Sequence, residues 1–184
     1  MSNRMSAPSV AGPAAAKVAA LALAALLPAG AALAQNDELR TTHGDWQVRC
    51  APGTDECVIA QIGKGPNGGD VLEVRIRKIQ GLQAQDGEAV PAAIQILAPL
   101  GVALKAGVRV QVDSKEVRGA PFEVCAQGGC VVREPMSETF VDEMKAGNRA
   151  TISLAAITQS GEAQQIDVTV SLSGFTRAYN AISP

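Results

Sequence analysis

The chain has 184 residues, with 16 Lys and Arg against 18 Asp and Glu, four Cys, one His and only five aromatic residues, a size that suits one domain. A formal charge of -2 without a basic cluster, and so few rings, exclude the positive face and stacking platform on which nucleic-acid binding rests. A single imidazole leaves little scope for histidine-based catalysis.

The N-terminus reads as a secretory leader. Arg4 and Lys17 precede an unbroken apolar run over 18–27, which ends at Pro28 and Gly30, and Ala32-Leu33-Ala34 supplies a small-x-small cleavage site before Gln35. The run is half the roughly 20 apolar residues that a spanning helix needs, so the expected mature chain carries no membrane span. No Cys stands at the cleavage site to take a lipid, the first being Cys50. The expected division is a cleaved signal peptide over 1–34 and a domain over 35–184. Losing Arg4 and Lys17 leaves 14 basic against 18 acidic residues, a mature charge of -4.

Beyond the leader the dominant period is two. Strands are expected over 45–50 and 58–62, then over 71–79, where Leu72, Val74 and Ile76 alternate with Glu73, Arg75 and Arg77. Further strands are expected over 93–97, 107–113, 121–125, 130–133, 151–158 and 166–173, about nine in all. The intervening 63–69 segment, rich in Gly, is a mobile hairpin connection; it lacks the Lys-Ser/Thr ending of a phosphate-binding loop. Ser137 is the expected N-cap of one short helix ending near Gly147, with Phe140 and Met144 on one face. Phe175, Ala178, Tyr179 and Ile182 have helical spacing and predict a terminal helix docked on the sheets. Short strands separated by Gly, Asn and Pro favour an antiparallel, sandwich-like, mainly β domain over a βαβ layout.

Cys50, Cys57, Cys125 and Cys130 are an even number in a chain expected to be exported, which predicts two disulfides among three connectivities. Each neighbouring pair brackets turn residues, Pro52-Gly53 in one case and Gly128-Gly129 in the other, so Cys50–Cys57 and Cys125–Cys130 are the favoured pairings. Chain entropy runs the other way, giving about 2 to 2.5 kcal/mol for each short loop and about 4.5 kcal/mol for pairing across the chain. A zinc site would need closer ligand spacing in the first pair and more His, and a redox pair would need C-x-x-C.

A search for catalytic chemistry finds none to assign. His43 lies in a strand-entry segment without a G-x-S-x-G nucleophile elbow elsewhere to serve. The carboxylate pairs Asp55-Glu56 and Asp142-Glu143 are adjacent in sequence and diverge on any regular element, which suits solvated charges. Arg75, Arg77 and Lys78 form a small basic group, interleaved with Glu73 as on a solvated strand face. Trp46, Val48 and Cys50 share one strand face, which places the Trp in the core beside the first disulfide. Pro99-Leu100-Gly101 and Gly107 read as turns, and Gly174 as the end of the last strand, letting Phe175 turn inward.

The ordered set Gly44-Asp45-Trp46-Gln47-Val48-Arg49-Cys50, Cys57-Val58-Ile59-Ala60-Gln61 and Pro99-Leu100-Gly101-Val102-Ala103-Leu104 with Gly107-Val108 resembles the invasion-associated locus B (IalB) family of exported alphaproteobacterial proteins. Phe122-Glu123-Val124-Cys125 with Gly129-Cys130, and the closing Ser171-Leu172-Ser173-Gly174-Phe175-Thr176-Arg177-Ala178, extend the resemblance over nearly the whole expected mature chain. It implies a link to host-cell invasion, including that of red cells, in some pathogens, and brings no biochemical activity with it. The expectation is therefore an exported, disulfide-stabilised single β domain with one or two short helices, non-enzymatic, without cofactor or metal. It would act in the periplasm, at the outer membrane or after secretion, on an envelope or host-cell protein. The alternative is a periplasmic hydrolase using carboxylates. No ligand-binding residue and no oligomeric state can be assigned from the sequence.

Overall fold

A computed structural model describes residues 37–85 and 87–184. The expected leader over 1–34 and its cleavage before Gln35 lie outside the described residues. The strands are β1 (Glu38–His43), β2 (Trp46–Cys50), β3 (Cys57–Lys64), β4 (Asp70–Lys78), β5 (Ala92–Ala98), β6 (Val108–Val112), β7 (Val117–Ala120), β8 (Val124–Ala126), β9 (Gly129–Met136), β10 (Arg149–Ile157) and β11 (Ala163–Ser171). Helix α1 (Glu138–Ala146) links β9 to β10, α2 (Phe175–Asn180) follows β11, and a 3-10 turn spans Leu104–Ala106.

All strand pairings are antiparallel, and they form one curled sheet with β3 at its fork. Along one edge β3 pairs with β4. Along the other its first residues, 57–60, pair with β2, and its last, Lys64, meets Thr169 of β11. The first arm therefore runs β1-β2-β3-β4-β5-β9-β8 and the second β7-β6-β10-β11. The alternation in the sequence sorts the faces: Leu72, Val74, Ile76, Ile94 and Ile96 of the first arm join Val108, Val110, Ile152, Leu154, Val168 and Val170 of the second in one buried cluster. Each such side chain contributes about 1.5 to 3 kcal/mol on leaving water, so the two arms hold together in sandwich fashion as expected.

Among the described residues eleven strands replace the nine expected. In β1 only His43 is even half-buried, so the strand shows no apolar alternation, and a register shift at Arg40 bends this free edge. The four residues of β7 are too few to show a period. Gly63, expected in the loop, is instead an inner-face strand residue: a Cβ there would lie 2.7 Å from Val168 Cγ1 and 3.0 Å from Leu72 Cδ1. The missing side chain lets the arms close at the fork.

Helix α1 begins as expected, with Ser137 Oγ accepting the Phe140 backbone N–H at 3.3 Å. Gly147 does end it, although in an extended conformation; the constraint is space, since a Cβ would lie 2.6 Å from Val112 Cγ1. Helix α2 buries Phe175, Ala178 and Tyr179, with Ile182 buried just beyond its end. Trp46 occupies the inner face of β2 with Cys50, but at the opposite end of the strand, roughly 13 Å away at 3.3 Å per residue. Its ring partner is Phe175, edge to face at 5.2 Å, and Phe175 in turn stacks on Tyr179 at 5.8 Å. The expected contact with the disulfide is thus replaced by a short aromatic column that ties α2 to β2.

Candidate functional site

Both favoured cysteine pairings are present. Cys50 and Cys57 are direct partners in the β2–β3 hairpin, and Cys125 and Cys130 in the β8–β9 hairpin. One staples β2 to β3 behind the β1 edge, and the other staples the β8 edge to β9. Among the described residues no group of three or more His, Cys, Asp and Glu converges as a metal site, and no helix is long and apolar enough to cross a membrane. Asp142 pairs with Lys145 at 3.0 Å and Glu143 with Arg118 at 2.7 Å, so each carboxylate of that pair serves its own cation. Asp55 and Glu56 stand exposed in the turn before β3, and His43 is half-buried at the end of β1.

Along this edge of β3 the β2 pairing ends at Ala60 and the β11 pairing is at Lys64, which leaves the residues between without a ladder partner on that side. Gln61 fills the gap. Its Nε2 donates to Ser171 O at 2.9 Å and its Oε1 accepts from Ser171 N at 2.7 Å, so a side-chain amide substitutes for the absent peptide partner. Trp46 Nε1 donates to the same carbonyl at 2.9 Å. The cleft over this fork, about 410 Å³, is lined by Asp45, Gln47, Arg49, Lys64 and Glu73 among others. Its cations are already engaged: Arg49 with Gln47 and Glu73, and Lys64 with Asp70.

A second depression, about 500 Å³, lies over β3, β4, β5 and β9. Register builds it from two rows across the strands. One row is Arg77–Ala93–Pro135, and the next is Arg75–Gln95–Arg133. The small side chain of Ala93 sets the floor, and Val58, Ile79 and Leu82 supply apolar walls. Arg75 is held by Asp37 at 2.9 Å and by Glu73 at 3.0 Å, and Arg133 by Glu123 at 2.6 Å. Arg77 has no ion pair or hydrogen bond to any described residue. Glu134, paired with buried Ile94 on the opposite face of β9, has its carboxyl pKa raised by burial.

The sequence places Arg75 and Arg77 on one outward face but does not show the depression they border. Arg133 joins them only through the β5–β9 register, and no local pattern announces that pairing. At the neighbouring strand end, Lys78 and Lys145 lie 4.8 and 5.4 Å from the Tyr179 ring centroid. Burial and the charge of Lys145 lower the pKa of Lys78, and burial, then Asp142, raises that of Tyr179.

Among solved structures, the chain is similar to the crystal structure of invasion associated protein B from Bartonella henselae, with a TM-score of 0.60 over 78% of this chain and 94% of that one. At 22% identity that likeness concerns the fold. Among curated proteins it is similar to Invasion protein B of Bartonella bacilliformis, 26% identical over 162 residues that cover 86% of this chain and 80% of that protein. The description "Invasion associated locus B (IalB) protein" matches over residues 46–183, which hold the fork, both disulfides and α2, and the chain belongs to that family.

Proposed function

We propose that this chain is an exported, non-enzymatic interaction protein of the cell envelope, contributing to envelope stability or host contact from the periplasm or the cell surface. The observation that carries the reading is the pair of closed hairpin disulfides, Cys50–Cys57 and Cys125–Cys130, since such bonds persist in oxidising compartments. The leader pattern before Gln35 agrees with export. The names of the Bartonella relatives associate those proteins with invasion, and a protein acting outside the cytoplasm is placed to touch envelope or host components.

The test is peptide mapping of the native protein from fractionated cells, under non-reducing and reducing conditions. The reading expects a periplasmic or surface chain starting at Gln35 with both pairs linked. A cytoplasmic chain with free thiols refutes export. Turnover of a hydrolase substrate panel that disappears on single Asp or Glu changes refutes the non-enzymatic part.

A further inference from the structure

We propose that the depression over β3, β4, β5 and β9 binds an extended segment of a partner protein that carries an apolar side chain and a carboxylate two residues apart. This inference rests on the interaction-protein reading and names the partner's chemistry.

The two cross-strand rows have different characters. Around Ala93 the surface is apolar, walled by Val58, Ile79, Leu82 and Pro135. One row further along β5, Gln95 lies between Arg75 of β4 and Arg133 of β9. The strands that carry those arginines are separated by a single strand, roughly 10 Å at 4.8 Å per step, and both side chains can lean over Gln95. Ala93 and Gln95 are two residues apart, roughly 6.8 Å, which is also the repeat between same-face side chains of an extended peptide. A segment lying along β5 thus sets an apolar side chain over Ala93 and a carboxylate over Gln95, where guanidinium forks donate to its oxygens in bidentate fashion.

Charge complementarity decides the occupant. Arg75 and Arg133 already have carboxylate partners, but Arg77, at the edge of the apolar row, has none among the described residues. Its stem borders the apolar pocket and its guanidinium is available to an incoming acid. The cleft at the fork is close in volume, yet its cations are engaged by protein groups. Arg133 and Glu123 are both about half exposed, so their pair exchanges readily for another carboxylate. The polar groups of the depression come from separate strands, which suits a chain crossing it.

The test uses an N-terminally fluorescein-labelled octapeptide with Leu-Thr-Glu at its centre in a Ser/Thr frame, titrated with the oxidised mature protein and followed by anisotropy. Saturable binding is expected. Replacing the peptide's Glu by Gln, replacing its Leu by Ser, or making the protein double variant Arg77→Gln/Arg133→Gln should each weaken it at least about tenfold. Rising salt should weaken binding as well. Unchanged unfolding midpoints in the protein variant show that the loss is local. Equal binding by the variant, or by the control peptides, overturns the proposal. So does Arg77-dependent sedimentation with phosphatidylglycerol vesicles in the absence of peptide binding, which would make the depression a lipid site. Should the peptide fail while the native protein proves periplasmic and fully oxidised, the inference falls and the interaction-protein reading stands. A cytoplasmic, reduced chain removes that reading whatever the peptide does.

Discussion

Gly174 and Gly44 meet back to back where the β1–β2 turn packs on the β11–α2 junction, and replacing Gly174 by Ala tests how much of the fold depends on that meeting. Gly174 has φ +84, and a Cβ on it would lie 2.0 Å from His43 O, while a Cβ on Gly44 would lie 2.4 Å from Ser173 O. Left-handed backbone costs a non-glycine residue about 1 to 2 kcal/mol. The clash is with backbone, so the turn itself must retreat. That retreat breaks the Asp45 N–H to Ser173 O hydrogen bond of 3.1 Å, worth about 1 kcal/mol net. It also loosens the Trp46–Phe175 edge contact of 5.2 Å, worth about 0.5 to 1.5 kcal/mol. The sum is about 2.5 to 4.5 kcal/mol. Gly101 is the internal control: its φ is +86, but a Cβ there meets nothing within 4 Å, so Gly101→Ala costs only the backbone term, about 1 to 2 kcal/mol. For a domain of this size each kcal/mol shifts Tm by about 2 to 4 °C, which puts the loss at roughly 10 °C for Gly174→Ala and roughly 4 °C for Gly101→Ala. The sole Trp, fully buried at position 46, reports both transitions by fluorescence. Equal losses for the two variants would refute the close-approach argument. The pair Gly44→Ala/Gly174→Ala should cost less than the sum of its singles, because the first substitution already separates the two segments.

Removing Cys50–Cys57 as Cys50→Ser/Cys57→Ser should cost about 2.5 kcal/mol, and removing Cys125–Cys130 about 2 kcal/mol, with the fold retained in both; urea unfolding measures each loss. Gln61→Leu strips Ser171 of its side-chain partner and should cost about 1 to 3 kcal/mol, with faster hydrogen exchange at the Ser171 amide as its local signature. Asp113 accepts the backbone N–H groups of Asn148 at 3.0 Å and Arg149 at 3.2 Å; the Asn148 bond is the main cause holding its pKa below the ordinary value. Its contribution is therefore present above the unfolded value near pH 4 and lost as pH falls through the lower folded one, so Asp113→Asn should flatten the acid limb of the urea midpoint against pH. Glu134 acts in the opposite direction: burial raises its pKa, so acidification through the folded value relieves an ionised carboxylate, and Glu134→Gln should remove that gain.

What the sequence revealed followed from locality. The alternation of Leu72, Val74 and Ile76 with Glu73, Arg75 and Arg77 is a complete local record of which face of β4 meets the core. Short cysteine spacings around turn residues fixed both disulfides, and Ser137 with Phe140 and Met144 fixed α1, because all these partners lie within one hairpin or one helix. What escaped detection depended on distant pairing. Exposed β1 carries no pattern to read, since its stability comes from hydrogen bonds to β2 rather than from buried side chains. Gln61 looks like any polar strand residue until β11, more than a hundred residues later, passes alongside it. The close approach of Gly44 and Gly174 was invisible for the same reason, although Gly174 was correctly read as the residue that lets Phe175 turn inward.

These features act on the same arm. With five aromatic residues in the whole chain, large rings cannot dominate the core, and the column Trp46–Phe175–Tyr179 is concentrated where α2 meets β2. The Cys50–Cys57 bond holds the other end of β2 against β3, and Cys125–Cys130 holds the far edge of the arm. Gln61 secures β3 to the second arm where the β2 and β11 pairings of β3 part. Strands β3, β4, β5 and β9 are therefore fixed on both flanks, while the outward side chains of Arg77 and Gln95 take no part in that fixing. A surface held by bonds made elsewhere loses little order when it binds, so the affinity of even a short segment is not consumed in organising the site. The same separation frees the outward residues to differ between proteins that share the scaffold, since changing them leaves the staples, the aromatic column and the glycine contact in place.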